Sequence, residues 1–215
     1  MGRILNKEDV VEMFESVSAE MTAHADELCQ MDARLGDGDL GLTMKKGFEA
    51  LPQLIRDTEG TDIGRCLMTA GMKMASTVPS TMGTLMASGV MQAGKALKGK
   101  ETLVPADLAV FFKAYAEGIA KRGKCSRGQR TVLDGIGAAS DEAEDAISKD
   151  PDISFEELAK AALCGAEKGV EATKDMVPVF GKAAVHREAS KGAVDQGAVA
   201  GKYMVEGIFK YFHKK

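Results

Sequence analysis

Three aspartates stand at positions 32, 37 and 39 in the stretch MDARLGDGDLG (residues 31–41), interleaved with glycines at 36, 38 and 41. In an extended segment, Asp37 and Asp39 point to the same side, about 7 Å apart along the chain. The glycines give the backbone freedom to fold Asp32 back towards them. Carboxylates gathered this way repel one another unless a cation sits among them or protons are taken up. Oxygen donors with no cysteine or histidine in the stretch select a hard ion, which favours Mg²⁺ over Ca²⁺ and Zn²⁺. An EF-hand register fails, because counting from Asp37 puts Gly41 at the fifth position and Phe48 at the twelfth. Mg²⁺ usually shares its shell with phosphate oxygens, so the loop asks for a nucleotide. Gly-Asp-Gly-Asp is also sound turn chemistry, and on these residues alone a solvated turn stands beside the metal site.

Two further stretches could receive phosphate. In TVPSTMGTLMASG (77–89), Pro79 breaks the chain, Ser80 and Thr81 offer caps, and a helix begins. Free N–H groups and the positive end of the helix dipole make such a start an anion site, or simply an ordinary N-cap. DQGAVAG (195–201) is a second acidic cap before small residues. A third stretch, Gly94 to Lys100, matches the first seven positions of a P-loop but fails on context. Glu101 stands where the Mg²⁺-binding hydroxyl belongs, no strand precedes it, and the segment is a lysine-rich helix end. His24, His186 and His213 share no short motif; His186 lies on the longest loop and reads by default as an exposed histidine, with ligand contact as the alternative. No G-x-S-x-G elbow supports nucleophilic hydrolysis.

The elements that must hold these loops are helical. Five prolines, no tryptophan and abundant Ala, Met, Leu, Glu and Lys favour helix throughout. In DLAVFFKAYAEGIAK, the residues Leu108, Phe111, Phe112, Tyr115 and Ile119 fall on one helical face. The same period predicts eight helices, near 7–30, 41–57, 62–77, 81–98, 105–121, 131–148, 154–174 and 195–213. Asn6 with Asp9, Ser154 with Glu157, and Pro105 with Asp107 supply start signals. The small residues of KAALCGAE mean close helix packing. The longer connections, 31–41, 122–130 and 178–194, are where chemistry is expected.

The totals agree with a single domain spanning residues 1–215. A net charge of -4 and a pI near 5.5 argue against a nucleic-acid partner. The four scattered cysteines (Cys29, Cys66, Cys125, Cys164) read as reduced thiols, which favours the cytoplasm. The N-terminal residues lack the apolar run of a signal peptide, and no stretch is expected to span a membrane.

Together the segments LGDGDLG preceded by Asp32, STMGTLMASG, RGQRTVLDGI, GVEATKDMVPVFGKAA and DQGAVAG resemble, in order and over nearly the whole chain, the DhaL-type nucleotide-binding domain of the dihydroxyacetone kinases. The resemblance implies an all-α, up-and-down barrel of eight antiparallel helices with a nucleotide at one end. It implies two Mg²⁺ ions bound by Asp32, Asp37 and Asp39, which with Lys182 form the catalytic set. It places ADP or ATP against Leu40, Gly41, Leu42, Thr43, Ser80, Thr81, Gly123, Val132, Lys182, Asp195, Gln196 and Gly197. This chain departs from the family's pattern at Leu40 (usually histidine), Lys182 (commonly arginine), Gln196 (usually proline) and Val132 (usually methionine).

The implied activity is that of a kinase subunit passing a phosphoryl group to a hydroxyl of a small ketose or polyol. In the family, that substrate sits on a separate DhaK-type subunit, which this chain is too short to include. The donor is either exchangeable ATP or a held ADP recharged by a phosphohistidine protein of the phosphotransferase system. A homodimer is compatible with the resemblance. A non-catalytic regulator that keeps the nucleotide pocket and docks a partner, such as a transcription factor, is the alternative from another class.

Overall fold

The computed structural model describes residues 3–34, 36–181, 184, 190 and 192–214. The predicted start signals act as drawn. The Asn6 side chain accepts from the Asp9 amide (3.1 Å) and the Asp9 carboxylate accepts from the Asn6 amide (2.9 Å), which opens α1 (Lys7–Ala23). A second short helix, α2 (Ala25–Asp32), follows directly. After the aspartate loop come α3 (Leu40–Arg56), α4 (Ile63–Thr77), α5 (Thr81–Ala96), α6 (Pro105–Gly123), α7 (Val132–Lys149) and α8 (Phe155–Ala172). A 3₁₀ turn (Thr173–Asp175) and α9 (Gln196–His213) complete the chain.

Nine α-helices thus stand among the described residues where periodicity predicts eight, because the first is broken at His24. His24 leaves the helical region (φ −107°, ψ 10°). Its ring stacks on Tyr203 at 3.9 Å and its Nδ1 meets Glu27 at 2.9 Å. The apolar spacing cannot reveal the break: Val17, Met21, Ala25 and Leu28 run straight through it, and all four are buried.

The helices close into a ring. The first pair packs on α3, each later helix packs on the next in order, and α9 returns to α1. Short connections between packed neighbours make them antiparallel. The turns after α2, α4, α6 and α8 therefore gather at one end, and those after α3, α5 and α7 at the other. Inside, Phe14, Phe48, Phe112 and Tyr115 are fully enclosed. The small residues of α8 do bring helices together: a Cβ at Gly165 would lie 2.3 Å from the Ala138 carbonyl of α7. Among the described residues, no helix is long and apolar enough to cross a membrane.

Candidate functional site

The aspartate loop folds as its glycines allow. The Gly36 amide donates to the Asp32 carbonyl (2.5 Å), and Gly38, at φ +78°, donates its amide to Asp32 Oδ2 (2.9 Å). A Cβ at Gly36 would lie 2.3 Å from Asp32 Oδ1, so no larger residue fits there. Asp39 is the N-cap residue of α3, yet its carboxylate makes no capping bond. Gly41 brings α3 against α2, where a Cβ would stand 1.8 Å from the Ala25 carbonyl. The outcome is a cluster: Asp32, Asp37 and Asp39 each offer a carboxylate oxygen within 4.8 Å of the others. Asp32 is buried and the other two are exposed. Oxygen-only donors, one anchored and two open to solvent, suit a hard divalent cation such as Mg²⁺.

Beside this cluster, α5 begins. Ser80 Oγ accepts from the Gly83 amide (3.0 Å), so the capping expectation holds. That bond leaves the amides of Thr81 and Met82 at the open, positive end of the helix. The two readings of the stretch therefore coexist.

The other two turns at this end are tied to each other. Thr131 caps α7, and Asp134 accepts from the amides of Gly128 (2.5 Å) and Thr131 (2.7 Å). Arg130, with φ +58°, is buried and donates Nη2 to the Ala193 carbonyl (2.8 Å). Its Nε and Nη1 have no hydrogen-bond partner among the described residues. Asp195 caps α9 through the Ala198 amide (2.8 Å), and its own amide donates to Thr173 Oγ1 (2.8 Å). Burial pushes the Asp195 carboxyl up to about 6; the Arg130 charge opposes that rise and Asp134 adds to it. Finally, Gln196 Nε2 donates to Asp32 Oδ1 (3.3 Å), which joins the last turn to the first.

Between these turns lie two adjoining cavities of about 350 and 510 Å³ that share Thr81, Leu85, Thr131 and Phe180. The first is lined by Asp32, Asp37, Leu40, Thr81, Val132, Asp195, Gln196 and Gly197, all expected from the sequence. The second takes in Ser80, Thr81 and Gly123. Gly41, Leu42 and Thr43 line neither: Gly41 is packed on α2, and Leu42 faces solvent at 62% exposure. Lys182 and His186 lie outside the described residues.

Sequence reasoning passed over Thr131, Leu85, Met82, Arg122 and Phe180, which line the same cleft. Thr131 had a legible signal, the capping box Thr131-x-x-Asp134. Met82, Leu85 and Phe180 lie inside quoted segments without a signal that singles them out, and Arg122 opens the 122–130 connection.

A profile of the DAK2 domain matches residues 34–210 of the chain. The PEP-dependent dihydroxyacetone kinase, ADP-binding subunit DhaL, of Escherichia coli is 26% identical over 202 residues, covering 94% of this chain and 95% of that protein. The corresponding Listeria innocua protein, PEP-dependent dihydroxyacetone kinase 1, ADP-binding subunit DhaL, is 31% identical over 171 residues, 80% of this chain and 79% of that one. Among solved structures, the dihydroxyacetone kinase from C. freundii in complex with AMP-PNP and Mg²⁺ superposes with a TM-score of 0.64 at 20% identity. That match covers 98% of this chain and 35% of the crystallised one, so it speaks to the fold, and this chain spans about a third of that protein.

Proposed function

This chain belongs to the DAK2 domain family, and from that membership and the cleft we propose that it is the Mg²⁺-dependent, ADP- or ATP-binding subunit of a dihydroxyacetone-kinase-like phosphotransferase. One observation carries the reading: of three carboxylates within 4.8 Å of one another, Asp32 and Asp37 line a cavity together with Thr81, the first residue of α5. Metal ligands and phosphate donors facing one space are what a nucleotide's phosphates require.

In this reading Asp32, Asp37 and Asp39 hold two Mg²⁺ ions, whose charge offsets that of the phosphates and of the phosphoryl group in transfer. The amides of Thr81 and Met82 orient phosphate oxygens. The apolar walls given by Leu85, Val132 and Phe180 accept the nucleoside and keep water from it. Asp195 and Gly197 border the cleft from the start of α9, and Lys182 adds a positive charge. Phosphoryl transfer needs little covalent help, so positioning and charge do most of the work.

The acceptor is a hydroxyl of a small ketose or polyol, held on a separate DhaK-type subunit. The E. coli and L. innocua relatives, both matched over most of their length, are named ADP-binding subunits of PEP-dependent kinases. Their names support a held ADP recharged by a phosphohistidine protein over exchangeable ATP.

Calorimetric titration of ADP into nucleotide-free protein tests the site. Binding should require Mg²⁺ and be lost in Asp37→Asn. Tight binding that ignores both the metal and the substitution would remove the kinase reading.

A further inference from the structure

Asp32 is the one buried member of the aspartate cluster, and both its oxygens already accept a hydrogen bond. One donor is local: the Gly38 amide, six residues along the same loop. The other is remote: the Gln196 side-chain amide, 164 residues away at the first turn of α9. From these two bonds we propose that Gln196 is a positioning residue for the metal site. Its amide fixes the Asp32 carboxylate in the orientation that receives the cation, and so couples the last turn of the cleft to the aspartate loop. The inference rests on the proposed nucleotide-binding role and deepens it.

The chemistry of the donor matters. A carboxylate has about four lone-pair directions; one bond to each oxygen leaves the others open to the cluster. A lysine in place of Gln196 would orient Asp32 equally well, but would bring its own positive charge into the space a cation must fill. An amide orients without neutralising. The full negative charge of Asp32 thus remains available, while the carboxylate no longer has to be ordered when the metal arrives. Among the described residues, no lysine or arginine pairs with Asp32, so its orientation depends on these two donors. The Gly38 bond is local to one loop. The Gln196 bond ties Asp32 to a helix whose start is separately pinned, by Asp195 on the Ala198 amide and by Thr173 on the Asp195 amide. A partner that orients a metal ligand typically changes affinity 10- to 100-fold when removed.

Gln196→Met tests this, since methionine keeps the length of the side chain and lacks the amide that donates to Asp32. Calorimetric titrations of ADP across a series of Mg²⁺ concentrations give the Mg²⁺ midpoint for binding, and thermal melting without metal verifies the fold. The midpoint should rise about tenfold in Gln196→Met, with wild-type ADP affinity regained at saturating Mg²⁺. An ADP affinity lowered equally at every Mg²⁺ concentration would mean that Gln196 touches the nucleotide instead, and would overturn the inference. So would an unmoved midpoint in a variant beside a normally binding wild type. Failure of the wild type itself to bind ADP in a Mg²⁺-dependent way would overturn the proposed function, and this inference with it.

Discussion

Both ends of the barrel use acidic residues to hold backbone amides, but among the described residues only one gathers carboxylates against one another. At the end formed by the turns after α3, α5 and α7, carboxylates bind backbone and cations. Asp62 accepts from the amides of Arg65 (3.0 Å) and Gly99 (3.1 Å), and so joins two turns. Asp107 accepts from the Val104 amide (3.0 Å) and pairs with Lys100 (2.8 Å). Lys7 closes the end of α3 on the carbonyls of Arg56, Thr58 and Gly60, and Leu5 bridges Leu103 by paired backbone bonds. At the opposite end, three carboxylates are drawn within 4.8 Å of one another and Asp195 is buried at a helix start. Gathering like charges costs stability unless something else is brought among them. One end is tied together by its carboxylates, while the other gathers carboxylates as the proposed cation site requires.

The comparison breaks most visibly under one substitution made at both ends. Asp32→Asn keeps an oxygen for the Gly38 amide but removes a charge from the cluster. It should raise the Mg²⁺ midpoint for ADP binding more than about 100-fold, beyond the range for outer partners of metal ligands. Asp62→Asn, which keeps an oxygen for one of the two amides that Asp62 accepts from, should leave that midpoint within about twofold; calorimetry reads both. An equal loss in the two variants would erase the distinction between the ends.

Glycines sharpen it further. A Cβ at Gly41 meets the Ala25 carbonyl at 1.8 Å, so Gly41→Ala must push α3 off α2, at a cost of about 3 kcal/mol or more. Because those helices carry Asp39 and Asp32, Mg²⁺ affinity should fall with stability. At the far end Gly60 has φ +91° and nothing within 4 Å of a Cβ. Gly60→Ala should cost only the left-handed backbone, about 1–2 kcal/mol, with no change in Mg²⁺ affinity. Urea unfolding beside calorimetry separates the two effects.

Which end would gather the three aspartates was legible in the sequence because its signals are local. The spacing Asp32, Asp37, Asp39 and the glycines between them state the loop's geometry within eight positions, and Ser80 and Asp195 announce helix starts. The helices of the ring were legible for the same reason, since Phe111, Phe112 and Tyr115 repeat at helical spacing. The break at His24 was not, because the apolar spacing runs through it and Tyr203, on which the His24 ring stacks, is brought beside it only by the fold. Nor were the Gln196 contact with Asp32 or the buried Arg130 guanidinium on the Ala193 carbonyl. These are bonds between turns, and a single chain read in order carries no signal for them.

Asp195 distinguishes the ends by pH. Burial raises its carboxyl from 3.8 to about 6, with Arg130 and Asp134 the charges that face it. Its folded-state value lies above the unfolded one, so the folded protein binds the proton more tightly. The stabilisation is full below pH 4 and is lost as pH rises through 6. Asp195→Asn mimics the protonated form and should therefore melt with the wild type near pH 4. Above pH 7 it should be more stable by roughly 2–3 kcal/mol. A difference between the two proteins that stays constant from pH 4 to 8 would show that the carboxyl is not raised.

Asp107 provides the smallest effect and the counterpart at the far end. Its carboxylate is buried, yet it has both the Val104 amide and Lys100, so it behaves as a helix cap and needs no added cation. Asp107→Ala removes the acceptor from the first turn of α6 and should cost about 1 kcal/mol. Lys100→Met removes only a half-exposed ammonium that water screens, and should cost less than about 0.5 kcal/mol. Neither substitution should move the Mg²⁺ midpoint, because the far end contributes no ligand. If Asp107→Ala weakened ADP binding by more than its loss of stability explains, the two ends would be mechanically coupled along α6, which carries Asp107 in its first turn and ends at Gly123 on the rim of the cleft.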